Sequence, residues 1–94
     1  MSMIIFEWDE EKEKSNIRKH DVDFSEAESV FYDPFSLTIA DPDHSIEENR
    51  FIDIGMSDKT RVLVVVYTER QKESVRIFSA RKATQTERKV YEQQ

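Results

Sequence analysis

The chain has 94 residues, of which 36% are charged and 37% hydrophobic, a net charge of −6 and no cysteine. That length gives one domain, residues 1–94, with one core and one sheet, and the apolar residues fall in patterned blocks that a disordered chain lacks. The composition excludes a disulfide framework and a thiolate metal centre. No apolar run approaches the ~18 residues of a membrane span, and the first nine residues lack the basic start and small-residue cleavage site of a leader, so a cytoplasmic location is expected.

Ile4 to Trp8 is a short apolar-rich run with strand character. Asp9 then stands as a helix N-cap. Glu10, Glu11 and Glu13 fill the first turns, and Lys14, Arg18, Lys19 and His20 fill the end, an order that complements the helix dipole. Ile17 is the only large aliphatic residue of this helix, which predicts a surface helix with one narrow contact. Ser25 and Glu28 form a Ser-x-x-Glu capping-box pattern. Phe24, Ala27, Val30 and Phe31 give the second helix one apolar face, and Asp33-Pro34 ends it.

Four strands are expected next. They run from Phe35 to Ala40, Arg50 to Met56, Val62 to Tyr67 and Ser74 to Ala80. Arg50 to Met56 alternates in hydropathy. Val62 to Tyr67 is nearly continuous in β-branched and apolar residues, as a central strand covered on both sides would be. Short connections predict an antiparallel meander. Thr84 with Glu87 makes another capping box, starting a C-terminal helix that reaches about Tyr91. The fold class is therefore α+β: a short N-terminal strand and two helices packed on a four-stranded antiparallel sheet, with a C-terminal helix.

The charge is unevenly spread. Residues 1–58 hold 5 Lys/Arg and 16 Asp/Glu, whereas residues 59–94 hold 9 and 4. Such asymmetry points to a polyanion site or to an oppositely charged partner. Overall acidity argues against strong non-specific nucleic-acid binding. The basic residues concentrate at the last strand-to-helix junction, residues 74–91. Arg76 and Arg81 straddle the strand end there, and arginine forks suit phosphate oxygens. Pairing of Arg76 with Glu69 or Glu73 is the structural alternative, and Arg88 reads as a partner of Glu92 one helical turn on.

Lys19-His20 offers acid–base chemistry near neutral pH, with a helix-capping histidine as the plainer reading. Glu87 and Tyr91, one turn apart, offer a carboxylate and a phenol on one face, or else a capping acid and a packing ring. Asp41 to Glu47 imitates the start of a calcium loop, but Ile46 and Ile52 stand where glycine and glutamate are required, so it reads as a solvated turn. With Gly55 the only glycine, a Gly-rich phosphate loop is excluded.

Trp8-Asp9, Asn16, Lys19-His20, Phe24 and Ala27 resemble the N-terminal half of the BrnT toxins. Arg50 and Gly55, then Val64 to Arg70, Arg76-Ile77-Phe78-Ser79-Ala80-Arg81, Glu87-Arg88 and Tyr91 resemble the other half. The series spans nearly the whole chain in order. Two departures stand out. Asp21 follows Lys19-His20 where the family commonly has glycine, and aspartate enters a left-handed C-cap less easily. Asn49-Arg50 replaces a common Glu-Arg.

The resemblance implies a RelE-like ribonuclease fold and the toxin of a type II toxin–antitoxin pair, which cuts RNA and halts translation. It implies a BrnA-like antitoxin, through which the complex contacts DNA. On that footing the expected chemistry is a metal-independent, cofactor-free endoribonuclease using 2′-hydroxyl attack. Arg76 and Arg81 would hold phosphate and transition-state charge, with Arg50 and Arg70 as supporting contacts. Lys19, His20 and Tyr91 would move protons, and Glu87 would orient a neighbour. The competing expectation is a non-catalytic module whose basic sheet surface docks an antitoxin or another acidic partner.

Overall fold

The computed structural model describes residues 4–41, 49–71 and 73–94. Most of the calcium-loop-like segment, residues 42–48, lies outside the described residues. The elements in chain order are β1 (Ile5–Glu7), α1 (Glu10–His20), α2 (Phe24–Ser29), a 3-10 turn (Val30–Tyr32), β2 (Leu37–Ala40), β3 (Arg50–Met56), β4 (Val62–Gln71), β5 (Ser74–Lys82) and α3 (Gln85–Glu92). The strands form one sheet in the order β1-β5-β4-β3-β2. β2 to β5 make the expected antiparallel meander. The sheet has five strands instead of four, because β1 joins it parallel to β5, with Glu7 opposite Arg76. A three-residue strand carries too little pattern to announce its partner. Phe6 decides the matter by packing against the core over Val75.

Both sheet faces bury apolar side chains. Leu63, Val65, Tyr67, Val75, Ile77 and Ala80 pack against Val22, Phe24, Ala27 and Val30 from the helical layer. Trp8 meets Phe24 edge-on at 5.9 Å, and Phe31 meets Tyr67 at 4.8 Å. On the other face Ile54, Val62 and Val64 pack against Ile52, Met56, Ala83 and Tyr91. β4 is thus covered on both sides at its start, as its β-branched run requires.

The caps explain where the helices begin. The Asp9 carboxylate accepts from the Glu11 and Lys12 amides at 2.8 and 3.1 Å. Thr84 and Glu87 form the reciprocal box predicted for α3. For α2 the Ser25/Glu28 box does not form. Asp23 caps the helix instead, accepting from Glu26 N at 2.7 Å, which places Phe24 in the first turn with its amide on Glu13 Oε2 at 2.9 Å. Asp21 takes the left-handed C-cap conformation usually filled by glycine, with φ 58°.

α1 is anchored in an unexpected way. Ile17 stays 42% exposed, and the residue that enters the interior is Asn16, only 5% exposed. Its amide accepts from Ala80 N at 3.0 Å and donates to Ala80 O at 2.7 Å and Val22 O at 2.9 Å. β1 pairs with β5 only as far as Arg76. Asn16 therefore supplies, from a side chain, the bonds that another strand would have made to this edge.

A polar knot joins the helices to the β3–β4 hairpin. Glu26, 2% exposed, receives both Arg61 Nε and Nη2, and also the Ser57 hydroxyl at 2.7 Å. Burial pushes the Glu26 carboxyl up, but these donors outweigh it and hold it below its ordinary range. Arg61 also donates to Asp21 O at 3.0 Å, tying the end of α1 to the knot.

Candidate functional site

α3 covers only part of its sheet face. The remainder is open, and alternation determines what it displays. On β5, Val75 and Ile77 are buried in the helical core, so Arg76 points to the open face. Thr68 on β4 lies between Arg76 and Arg50, so Arg50, Thr68, Arg76 and Glu7 form one cross-strand row.

A bulge then breaks the alternation. Val66 pairs with Ser79 and Tyr67 with Ile77, leaving Phe78 as the extra residue. The bulge lets Ile77 and Ala80, three apart, both face the helical core while Phe78 and Ser79 turn outward.

α1 runs beside this open area, held to the β5 edge by Asn16. The two surfaces enclose a groove of about 330 Å³. Lys12, Ser15, Asn16, Lys19 and His20 line it from α1; Arg50, Val66, Phe78 and Ser79 line it from the sheet. Among the described residues no carboxylate lines it. Lys12 Nζ lies 4.9 Å and Arg50 Cζ 4.3 Å from the centre of the Phe78 ring. Three cations and a histidine in one groove, two of the cations on its aromatic ring, suit an anionic ligand that also carries flat apolar surface.

The expected site residues divide into groups. Lys19, His20 and Arg50 meet in the groove. Arg76 and Arg70 stand together at the end of the cross-strand row, sharing Glu7 Oε1 at 3.6 and 3.7 Å. Glu7 takes the place expected for Glu69 or Glu73, because the parallel ladder sets it directly opposite Arg76.

Arg81 and Glu87 form a bidentate pair, with Nη1 and Nη2 at 2.8 and 2.9 Å from the two carboxylate oxygens. Hydrogen bonding from Arg81 is the main cause that lowers the Glu87 carboxyl to about 2, against a smaller rise from burial. Glu87 is thus ionised at any physiological pH, and Arg81 is neutralised by it.

Tyr91 is not joined to Glu87. Its hydroxyl donates to Asp33 Oδ2 at 2.6 Å, and burial together with this bond pushes the phenol up to about 12. Asp33 also accepts from Met56 N and Phe35 N, so Tyr91 pins α3 to the turn before β2. Arg88 reaches Glu92 at 3.6 Å, the i,i+4 pair expected of it. Among the described residues no group of three or more His, Asp or Glu side chains is arranged to hold a metal ion, and no helix is long and apolar enough to cross a membrane.

Sequence reasoning missed Phe78 and Lys12. The signal for Phe78 was the alternation itself: a large aromatic sits two residues after Arg76, on the polar side of a strand whose other side is Val75 and Ile77. Lys12 was hidden among the charges of a polar helix.

A family model described as the ribonuclease toxin, BrnT, of type II toxin–antitoxin systems matches residues 8–87. The fold is similar to the crystal structure of the Brucella abortus ribonuclease toxin BrnT, with a TM-score of 0.68 and 26% identity, covering 89% of this chain and 100% of that one. No curated protein matches the chain.

Proposed function

The chain belongs to the BrnT family of ribonuclease toxins of type II toxin–antitoxin systems, and from that premise we propose that the groove between α1 and the open sheet face binds and cuts RNA. The observation that carries this is that Lys19, His20 and Arg50 line, with Phe78, a groove to which the described residues contribute no acid. In the reaction the RNA 2′-hydroxyl attacks the adjacent phosphorus. The 2′-oxygen–phosphorus bond forms, the bond to the 5′-oxygen breaks, and the products are a 2′,3′-cyclic phosphate and a 5′-hydroxyl.

Two protons move, one from the 2′-hydroxyl and one to the leaving 5′-oxygen. His20 and Lys19 are the groups placed to exchange them, one as base and one as acid. Arg50 sits where it can meet the extra negative charge of the transition state, a task that fixed cations perform without reorganisation. Arg76, in the same cross-strand row, extends the positive track along the RNA, with Arg70 beside it. Arg81 borders the site with Glu87 fixing its direction. Tyr91 serves the fold, because its proton is held toward Asp33.

The reaction requires no metal ion. It takes place in the cytoplasm and stops translation by destroying messages. A BrnA-like antitoxin covers the groove and brings the complex to DNA.

The test is cleavage of a single-stranded RNA by the purified protein in EDTA. H20A, K19A and R50A should each slow it by about 100-fold or more. Cleavage that persists at the native rate in all three variants would remove the groove from the mechanism. Absence of cleavage by the native protein, with the same substitutions weakening antitoxin binding alone, would establish the docking module instead.

A further inference from the structure

Phe78 is an aromatic residue without an aromatic partner. It belongs to neither apolar cluster, and it takes part in none of the ring–ring pairs among the described residues. Phe6, Trp8, Phe24, Phe31, Phe51 and Tyr67 all do. Alternation along β5 turns the ring away from the helical core and into the groove, at the position of the bulge. What approaches the ring is two cations, Lys12 from the α1 side and Arg50 from across β4. Apolar area placed in a charged groove beside a backbone irregularity, and serving no core, marks a contact surface for a ligand.

Resting on the groove as the RNA site, we propose that Phe78 is a stacking platform for one unpaired nucleobase, which makes this a site for single-stranded RNA. Every base has a π face, so a ring of this kind grips a strand without reading its sequence. Lys12 and Arg50 are already on the ring. When a base slides onto it, either can swing to the phosphates on either side of that base, or the Arg50 plane can cover the base from above. The groove volume of about 330 Å³ has room for one nucleotide. A duplex keeps its bases stacked inside and offers no face to the ring. Splaying one base onto Phe78 also rotates the neighbouring sugar, which is how a 2′-hydroxyl is brought in line with its phosphate.

The experiment measures binding of a 2′-O-methyl single-stranded oligonucleotide, which lacks the attacking hydroxyl and so cannot be cut. The proteins are the native chain, F78L and F78W, and an abasic site is moved through the oligonucleotide. F78L should weaken binding about 5- to 100-fold, the range found for loss of one stacked base. F78W should bind within about threefold of the native chain. At one position the abasic site should cost the native protein that same factor and cost F78L nothing more. A matched duplex should bind native protein no better than the single strand binds F78L.

Losses from F78L and from the abasic site that multiply at every position would overturn the proposal, as would F78L binding like the native protein. If F78L fails to fold, F78W decides. Its fluorescence above the Trp8 background should be quenched by the intact oligonucleotide and not by the one abasic at that position, and equal quenching overturns the proposal. Native protein that shows the abasic signature but never cuts RNA would refute the nuclease and leave the platform. Native protein that cuts RNA as fast with F78L would refute only the platform.

Discussion

Replacing Glu87 with glutamine separates charge from shape at the Arg81–Glu87 pair. Glutamine keeps an oxygen for the Thr84 amide, which Glu87 now holds at 2.8 Å. It loses the charge that draws in both Arg81 nitrogens. The fall of the Glu87 carboxyl from 4.5 to about 2 would convert, at 1.36 kcal/mol per unit, to a ceiling of roughly 3 kcal/mol. The two side chains are 28% and 40% exposed, so water screens much of this, and about 1 kcal/mol is the expected share.

The sign follows from the direction of the shift. A carboxyl whose pKa is lowered by folding stabilises the fold fully above its unfolded value of 4.5 and loses that contribution as pH falls toward 2. Urea unfolding of the native chain and E87Q, stepped from pH 7 to 2.5, should show a gap of about 1 kcal/mol that narrows below pH 4.5. A gap equally wide at pH 2.5, or none at pH 7, would refute the ion pair as its source. E87Q also releases the Arg81 charge. If RNA phosphate then takes it up, the salt dependence of RNA binding should steepen by up to ~0.7 in the log–log slope, one contact to a single strand.

Four further substitutions test the scaffold. A Cβ on Gly55 would stand 2.9 Å from both Ser36 Cβ and Val30 Cγ1, so G55A should cost about 1–3 kcal/mol in denaturant unfolding. R61A strands the buried Glu26 charge and should cost about 3–5 kcal/mol, whereas an exposed arginine such as Arg88, replaced by alanine, should cost under about 1 kcal/mol. D21G removes a side chain from a left-handed position and should raise stability by up to about 1 kcal/mol, read as a higher denaturant midpoint at unchanged slope.

Most of the frame was legible because local chemistry dictates it. The alternation of β3, the β-branched run that opens β4, the cap at Asp9 and the box at Thr84 act over a few residues, and each formed where expected, although β4 runs on to Gln71, past the expected Tyr67. What stayed hidden depends on distant partners. Asp23 outcompetes Ser25 as a cap because Glu13 takes the Phe24 amide. Glu7 captures two arginines only once β1 lies against β5.

The site followed the same division. The Lys19-His20 pair, and Arg50 through the family resemblance, pointed to the groove, whereas the charge asymmetry pointed to residues 74–91, whose arginines lie outside its lining. The floor was half legible: alternation alone turns Phe78 outward, whereas the bulge that sets Ser79 beside it exists only as a mismatch between two paired strands. Asn16 was likewise unreadable as an anchor, since its meaning lies in bonds to Ala80.

The walls of the groove come from opposite ends of the chain. α1 is made well before β5, with β2, β3 and β4 between them. Until β5 has left the ribosome, Asn16 has no edge to seal, β1 has no neighbour, and Phe78 does not yet exist in the chain. Such long-range closure is slow relative to helix or hairpin formation. On the proposed reading, a chain truncated before β5 has no groove and so no nuclease surface. The proposed cutting surface appears only once β5 is in place, which is the moment at which a neutralising partner has to be waiting.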